Sequence, residues 1–101
     1  MNVIQQKADP LAKICAQYGV QEMYAFGSVL IEDEFTSDSD IDLAVVFNRQ
    51  QIKGSFDQYM EFKAALENLF GRPVDLVSLK QARNKVFLRE LHRTKRQVYA
   101  A

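Results

Sequence analysis

The apolar positions along the chain alternate between two periods, and the switches between them divide it into elements. Leu11, Ile14, Cys15 and Tyr18 recur at helical spacing, which predicts a first helix with one buried stripe. Asp9-Pro10 suits its start, Asp as cap and Pro in the first turn, and Gly19 suits its end. Residues 1–8 are expected as a short lead-in. Val20–Phe26 reads as a strand, Val29–Glu34 as a short helix and Phe35–Ser39 as a loop. The clearest strand is Ile41–Phe47, with Ile41, Leu43, Val45 and Phe47 on one face and Asp42, Ala44 and Val46 on the other. After a polar connection over Asn48–Gly54, Ser55 is the expected cap of a long helix to about Phe70. That helix turns Tyr59, Phe62, Leu66, Leu69 and Phe70 inward, and Gly71 ends it. Pro73–Leu79 reads as a further strand and Lys80 to about Arg93 as a basic helix with Val86, Phe87 and Leu91 apolar. The final Gln97–Ala100 suits an edge strand or a frayed tail. This order predicts an α/β (α+β) fold, a small sheet of expected mixed direction with helices packed on it.

Composition adds little except through its distribution. The 101 residues are expected to form a single domain, 1–101. Thirteen Lys and Arg balance thirteen Asp and Glu, so net charge does not point to a polyanionic partner. Yet Gly27–Asp42 holds six acids and no base, while Lys80–Ala101 holds seven bases and one acid, Glu90. One region is suited to cations, the other to an anion or an acidic surface. A single cysteine, Cys15, excludes an internal disulfide, and with one histidine, His92, zinc sites built on Cys or His are excluded too. Cys15 reads as a small buried hydrophobe and His92 as an exposed residue without a role. The opening MNVIQQKADP lacks a signal-peptide pattern and no run is long enough to span a membrane. A cytoplasmic location is expected.

The chemistry concentrates between Phe26 and Phe47. Gly27-Ser28 follows the first strand, an acidic loop comes next, and Asp40 and Asp42 lead into the second strand at alternate positions, so they share a face. Gly27 lets a phosphate approach the backbone, and Ser28 as a helix cap would leave free N–H groups beside it. Asp75 interrupts a strand that reads as buried, so it needs a cation, a donor or solvent; an ion pair with Arg72 would meet that need. If its strand neighbours Ile41–Phe47, three carboxylates converge, and a hard cation such as Mg²⁺ or Mn²⁺ relieves their repulsion. Asp38, Asp40 and Asp42 also begin like an EF-hand loop, but Leu43 stands where that loop needs Gly and Arg49 where it needs Glu. Asp38 is left as an Asx-turn residue.

Together Gly27-Ser28, Asp40-Ile41-Asp42-Leu43 and the VDLV around Asp75 resemble the nucleotidyltransferase superfamily that includes DNA polymerase beta. Within it the chain is similar to the small bacterial minimal nucleotidyltransferases (MNT), from about Ala8 to Leu91. Eleven residues separate Ser28 from Asp40, slightly more than the family's usual spacing, and the basic RTKRQVYA end departs from its last strand. The resemblance implies that Gly27 and Ser28 hold the β,γ-phosphates of a nucleoside triphosphate, most simply ATP. It implies that Asp40 and Asp42 bridge two Mg²⁺ ions, with Mn²⁺ as a substitute. Asp75 completes the metal site at the acceptor hydroxyl. Transfer of AMP with release of pyrophosphate follows from these roles.

The chain leaves no room for a second domain to hold an antibiotic, a tRNA or a primer-template. The acceptor is therefore expected on another protein, and neither nucleic acid nor a membrane is the expected partner. MNT proteins pair with HEPN-domain toxins and can act as antitoxins by adenylylating a toxin tyrosine; the resemblance extends that expectation to this chain. Two alternatives accompany it: an antitoxin that masks its partner by binding alone, and an enzyme acting on a small-molecule hydroxyl. The basic segment Lys80, Arg83, Lys85, Arg89, Arg93, Lys95 and Arg96 would contact the triphosphate or the partner, or form a solvated helix face.

Overall fold

The structure, a computed structural model, describes residues 2–31, 36, 39–48 and 55–101, with only the backbone described at residues 2, 55 and 56. Glu32, Asp33, Glu34 and Asp38, with the Asx turn expected at Asp38, lie outside the described residues, as does most of the connection after Asn48. The order is α1 (Asn2–Gln5), α2 (Ala8–Gln17), β1 (Val20–Phe26), a 3₁₀ turn (Gly27–Leu30), β2 (Ile41–Phe47), α3 (Ser55–Phe70), β3 (Val74–Ser78), α4 (Lys85–Thr94) and β4 (Arg96–Ala100). The strands form one mixed sheet in the order β3-β2-β1-β4. β1 runs antiparallel to both β2 and β4, while β2 and β3 are parallel. Parallel neighbours need a long crossover, and α3 supplies it.

Alternation along the strands decides which face is buried. Met23, Ala25, Ile41, Leu43, Val45, Val74 and Leu76 meet Ile4, Leu11, Cys15, Phe62, Leu66 and Phe70 from α1, α2 and α3 in one core. Phe62 is fully buried between the rings of Tyr18 and Phe47, at centroid distances of 5.5 and 5.7 Å. Each such side chain contributes about 1.5–3 kcal/mol by leaving water. The opposite face carries α4. Phe87 packs edge-on against Phe26 at 5.8 Å, Leu91 is buried, and Lys95 lies over the Tyr24 ring at 4.2 Å.

Boundaries differ from the sequence expectation at α1, α2 and α4, each for a local reason. The lead-in contains α1, because Ile4 finds a place in the core. α2 therefore begins at Ala8 with Lys7 in the cap position, and Asp9-Pro10 lies inside its first turn, where proline's missing donor costs nothing. α4 begins at Lys85 and not Lys80, since Asn84 accepts the Phe87 N–H at 3.0 Å and so sets the N-terminus. Its stripe is Phe87, Leu88 and Leu91; Val86 points outward and is 68% exposed. The C-terminal segment is a true edge strand on β1. Lys80, Arg83, Lys85, Arg89, His92, Arg93 and Arg96 are all exposed. Among the described residues no helix is long and apolar enough to cross a membrane.

Cys15 occupies the core as a hydrophobe, with burial pushing its thiol up to about 12. The unfolded chain ionises this thiol near its ordinary 9 while the folded protein does not. The unfolded state then binds fewer protons, so Cys15 contributes a loss of stability as pH rises from about 9 toward 12. The expected result with a thiol-specific chromophoric reagent is negligible labelling of the native protein at pH 8 and full labelling in denaturant. Rapid native labelling would contradict the burial.

Candidate active site

The acidic residues meet at one end of the sheet because of register. Phe26, the last residue of β1, pairs with Asp42, and Asp42 pairs with Asp75. Three neighbouring strands thus present Phe26, Asp42 and Asp75 in one row, and residues in register share a face. Adjacent strands lie about 4.8 Å apart, so the two carboxylates are direct neighbours on the face that α4 only partly covers. Asp40 precedes β2 by one residue and is exposed.

Asp42 is half-buried, and its carboxyl is raised above the ordinary carboxylate value, first by that burial and then by the negative charges of Asp75 and Asp40. Asp42 therefore feels the negative charge of both neighbours, and like charges brought together disfavour ionisation at the central group. Asp75 is exposed, not buried as the run PVDLVSL implied. β3 is an edge strand whose alternate residues reach the open face, so solvent meets the need that burial would have created. Arg72 does not pair with it: among the described residues Asp75 has no cationic partner, and Arg72 donates to the carbonyls of Thr36 and Ser39, each at 3.1 Å.

Gly27 turns the chain directly beneath Asp42. Its φ of +74° lies where only glycine is at ease, and a Cβ there would overlap Asp42 Oδ2. The glycine is required twice, for the turn and for the room it leaves the carboxylate. Ser28 follows it, half-buried, but does not cap a helix as expected. A single 3₁₀ turn starts at Gly27, Phe26 occupies the cap position in extended conformation, and no side chain caps it. The Ser28 hydroxyl has no hydrogen-bond partner among the described residues.

The donor chemistry suits a hard divalent cation: three carboxylate side chains on adjacent or alternate backbone positions, none paired with a cation among the described residues. Among the described residues no three His, Cys, Asp or Glu side chains are gathered closely enough to hold an ion as they stand. The sequence suggests only an ion pair for Arg72 and gives no sign that Phe26 meets Phe87. Arg72 had one legible signal, its place three residues before Asp75, whereas the Phe26–Phe87 contact depends on where α4 lands.

A mixed four-stranded sheet with helices on its faces, an acidic row at one end and a Gly-Ser turn beneath it defines a small α+β domain of the nucleotidyl-transfer type. The family model described as polymerase beta, nucleotidyltransferase matches residues 9–101, and the chain belongs to that family. A Methanocaldococcus jannaschii protein provisionally named a protein adenylyltransferase is 37% identical over 68 residues, which cover 67% of this chain and 66% of that protein, just under two thirds of its length. A solved structure provisionally described as a minimal nucleotidyltransferase superposes with a TM-score of 0.76 at 27% identity, covering 94% of this chain and 92% of the other. A chain of a toxin–antitoxin crystal structure with AMP-PNP gives 0.72 at 23% identity, over 93% of this chain and 73% of that one. A chain of a complex of tri-AMPylated Shewanella oneidensis HEPN toxin with MNT antitoxin gives 0.67 at 23% identity, over 97% and 73%. At their identities the last two establish a shared fold.

Proposed function

We propose that this protein is a Mg²⁺-dependent adenylyltransferase that moves AMP from ATP to a tyrosine hydroxyl of a HEPN-domain toxin, and so acts as its antitoxin in the cytoplasm. The observation that carries the reading is the register that places Asp42 beside Asp75, over Gly27. The named adenylyltransferase relative and the fold shared with a chain of an AMPylated HEPN complex support the choice of reaction and partner.

In this reading Gly27 and Ser28 receive the β,γ-phosphates through backbone N–H groups and the free Ser28 hydroxyl. Asp40, Asp42 and Asp75 would hold the metal, with Mn²⁺ able to replace Mg²⁺. When bound, the metal supplies positive charge to the attacking and leaving oxygens of an in-line displacement. The acceptor oxygen forms its bond to the α-phosphorus as the bond to pyrophosphate breaks. Asp75, exposed on the edge strand, would face the acceptor hydroxyl and take its proton. The half-buried Asp42 anchors the centre of the row.

Acceptor identity is tested by incubating the HEPN partner with ATP, Mg²⁺ and this protein, then mapping the modified residue by tandem mass spectrometry. The expected product is AMP on a tyrosine, absent when that tyrosine is replaced by Phe. An unmodified partner alongside a nucleotide-bearing small molecule would move the acceptor to a metabolite.

A further inference from the structure

Two strands deliver the outer carboxylates, and one side chain joins the segments that precede them. Arg72 lies in the bend between α3 and β3, three residues before Asp75. Its Nη1 donates to the carbonyls of Thr36 and Ser39, both at 3.1 Å. Ser39 immediately precedes Asp40. Thr36 and Ser39 are themselves joined: the Ser39 N–H donates to the Thr36 carbonyl at 3.1 Å and the Thr36 N–H to Ser39 Oγ at 3.0 Å. On the other side, Glu67 Oε2 accepts the Val74 N–H at 3.0 Å and the Pro73 carbonyl accepts the Ile41 N–H at 3.0 Å. Among the described residues, Arg72 thus links the start of β3 to Thr36 and Ser39, the latter next to Asp40 in the chain.

We infer that Arg72 is a positioning residue for the metal-binding row, acting through its bonds to the Thr36 and Ser39 carbonyls to hold Asp40 at a set separation from Asp42 and Asp75. Asp42 and Asp75 are held by strand pairing; Asp40 lies just outside the ladder and is exposed, so its backbone needs another anchor. A guanidinium suits this task, because its planar fork can serve two carbonyls at once, which an ammonium on a flexible stem does less well. Groups that orient metal ligands without touching the metal commonly change metal affinity by about 10–100-fold when removed. The inference rests on the metal reading of the row given above.

The test is Mn²⁺ binding to the intact protein by titration calorimetry, in wild type, Arg72→Ala, Arg72→Lys and Gln58→Ala. Gln58 donates to the Tyr18 carbonyl at the other end of the sheet and serves as a structural control. The expected result is Mn²⁺ affinity about 10-fold weaker in Arg72→Ala, intermediate in Arg72→Lys and unchanged in Gln58→Ala. In transfer assays half-saturation in Mg²⁺ rises for Arg72→Ala, while KM for ATP at saturating metal holds. Should Arg72→Ala fail to fold, the Lys variant carries the comparison. Unchanged Mn²⁺ affinity in both Arg72 variants, with a lowered Tm, would overturn the inference and leave Arg72 a loop staple. Absence of Mn²⁺ binding by wild type would overturn the metal reading itself.

Discussion

Asp42→Asn lowers nucleotide transfer by about 10³-fold, roughly 4 kcal/mol of transition-state stabilisation, and raises the Tm of the metal-free protein. The two effects have one origin. Asp42 stands between two like charges on a half-buried backbone position, and its raised pKa records the cost of keeping it ionised there. An amide of the same shape removes that cost and, on the proposed reading, the ability to hold a divalent cation. Because Asp42 is partly solvated, the gain is modest. The sign with pH follows from the direction of the shift. The folded state keeps the Asp42 proton more tightly than the unfolded chain, so wild-type stability declines relative to the variant as pH rises through and above the carboxylate range. Adding Mg²⁺ reverses the order, since a cation that binds only the folded wild type stabilises it by mass action. Thermal melts of both proteins with and without Mg²⁺ check all of this; equal Tm values in every condition would show that the row does not act as a strained cation site.

Gly27→Ala is the second large effect, and it separates room from conformation. At φ +74° an alanine pays about 1–2 kcal/mol of backbone strain, a Tm loss of roughly 5–10 °C. Its Cβ also collides with Asp42 Oδ2, the end of a short side chain that must then swing away from its place in the row. Transfer falls with it, by about 10²-fold or more if the displaced carboxylate no longer meets the metal. Gly71 is the matched control. Its φ is +67°, but a Cβ there meets nothing within 4 Å. Gly71→Ala is expected to lose similar stability and keep its activity. Parallel activity losses in the two variants would attribute the effect at Gly27 to unfolding and not to the carboxylate.

The parts of this fold that could be read from the chain are those written in local periodicity. Ile41–Phe47 is apolar at every position but Asp42, so the strand follows from the sequence, and the two-residue period puts Asp40 and Asp42 on one face. The long helix ending at Gly71 is similarly legible, because Phe62, Leu66 and Phe70 repeat at helical spacing. What remained hidden depends on partners far along the chain. Asp75 sits among Val74, Leu76 and Val77, a run equally consistent with a strand buried on both faces; only the sheet order makes β3 an edge strand with Asp75 in solvent. The basic Arg96–Ala100 segment has no strong pattern of its own and becomes a strand because β1 offers it an antiparallel partner. Ser28 looked like a helix cap, yet the chain makes a single 3₁₀ turn there. Arg72 was assigned to its near neighbour in sequence, while its contacts lie more than thirty residues away.

The most direct test of the central claim is transfer of label from α-labelled ATP in the presence of Mg²⁺ and the HEPN partner, read by intact mass on both chains, for wild type and Asp42→Asn. A mass gain of whole AMP units on the partner, dependent on Mg²⁺ and lost in the variant, is the predicted result. A stable complex with no label on either chain under Mg²⁺ or Mn²⁺ would contradict it, and would leave a binding-only antitoxin in which the carboxylate row is not used for catalysis.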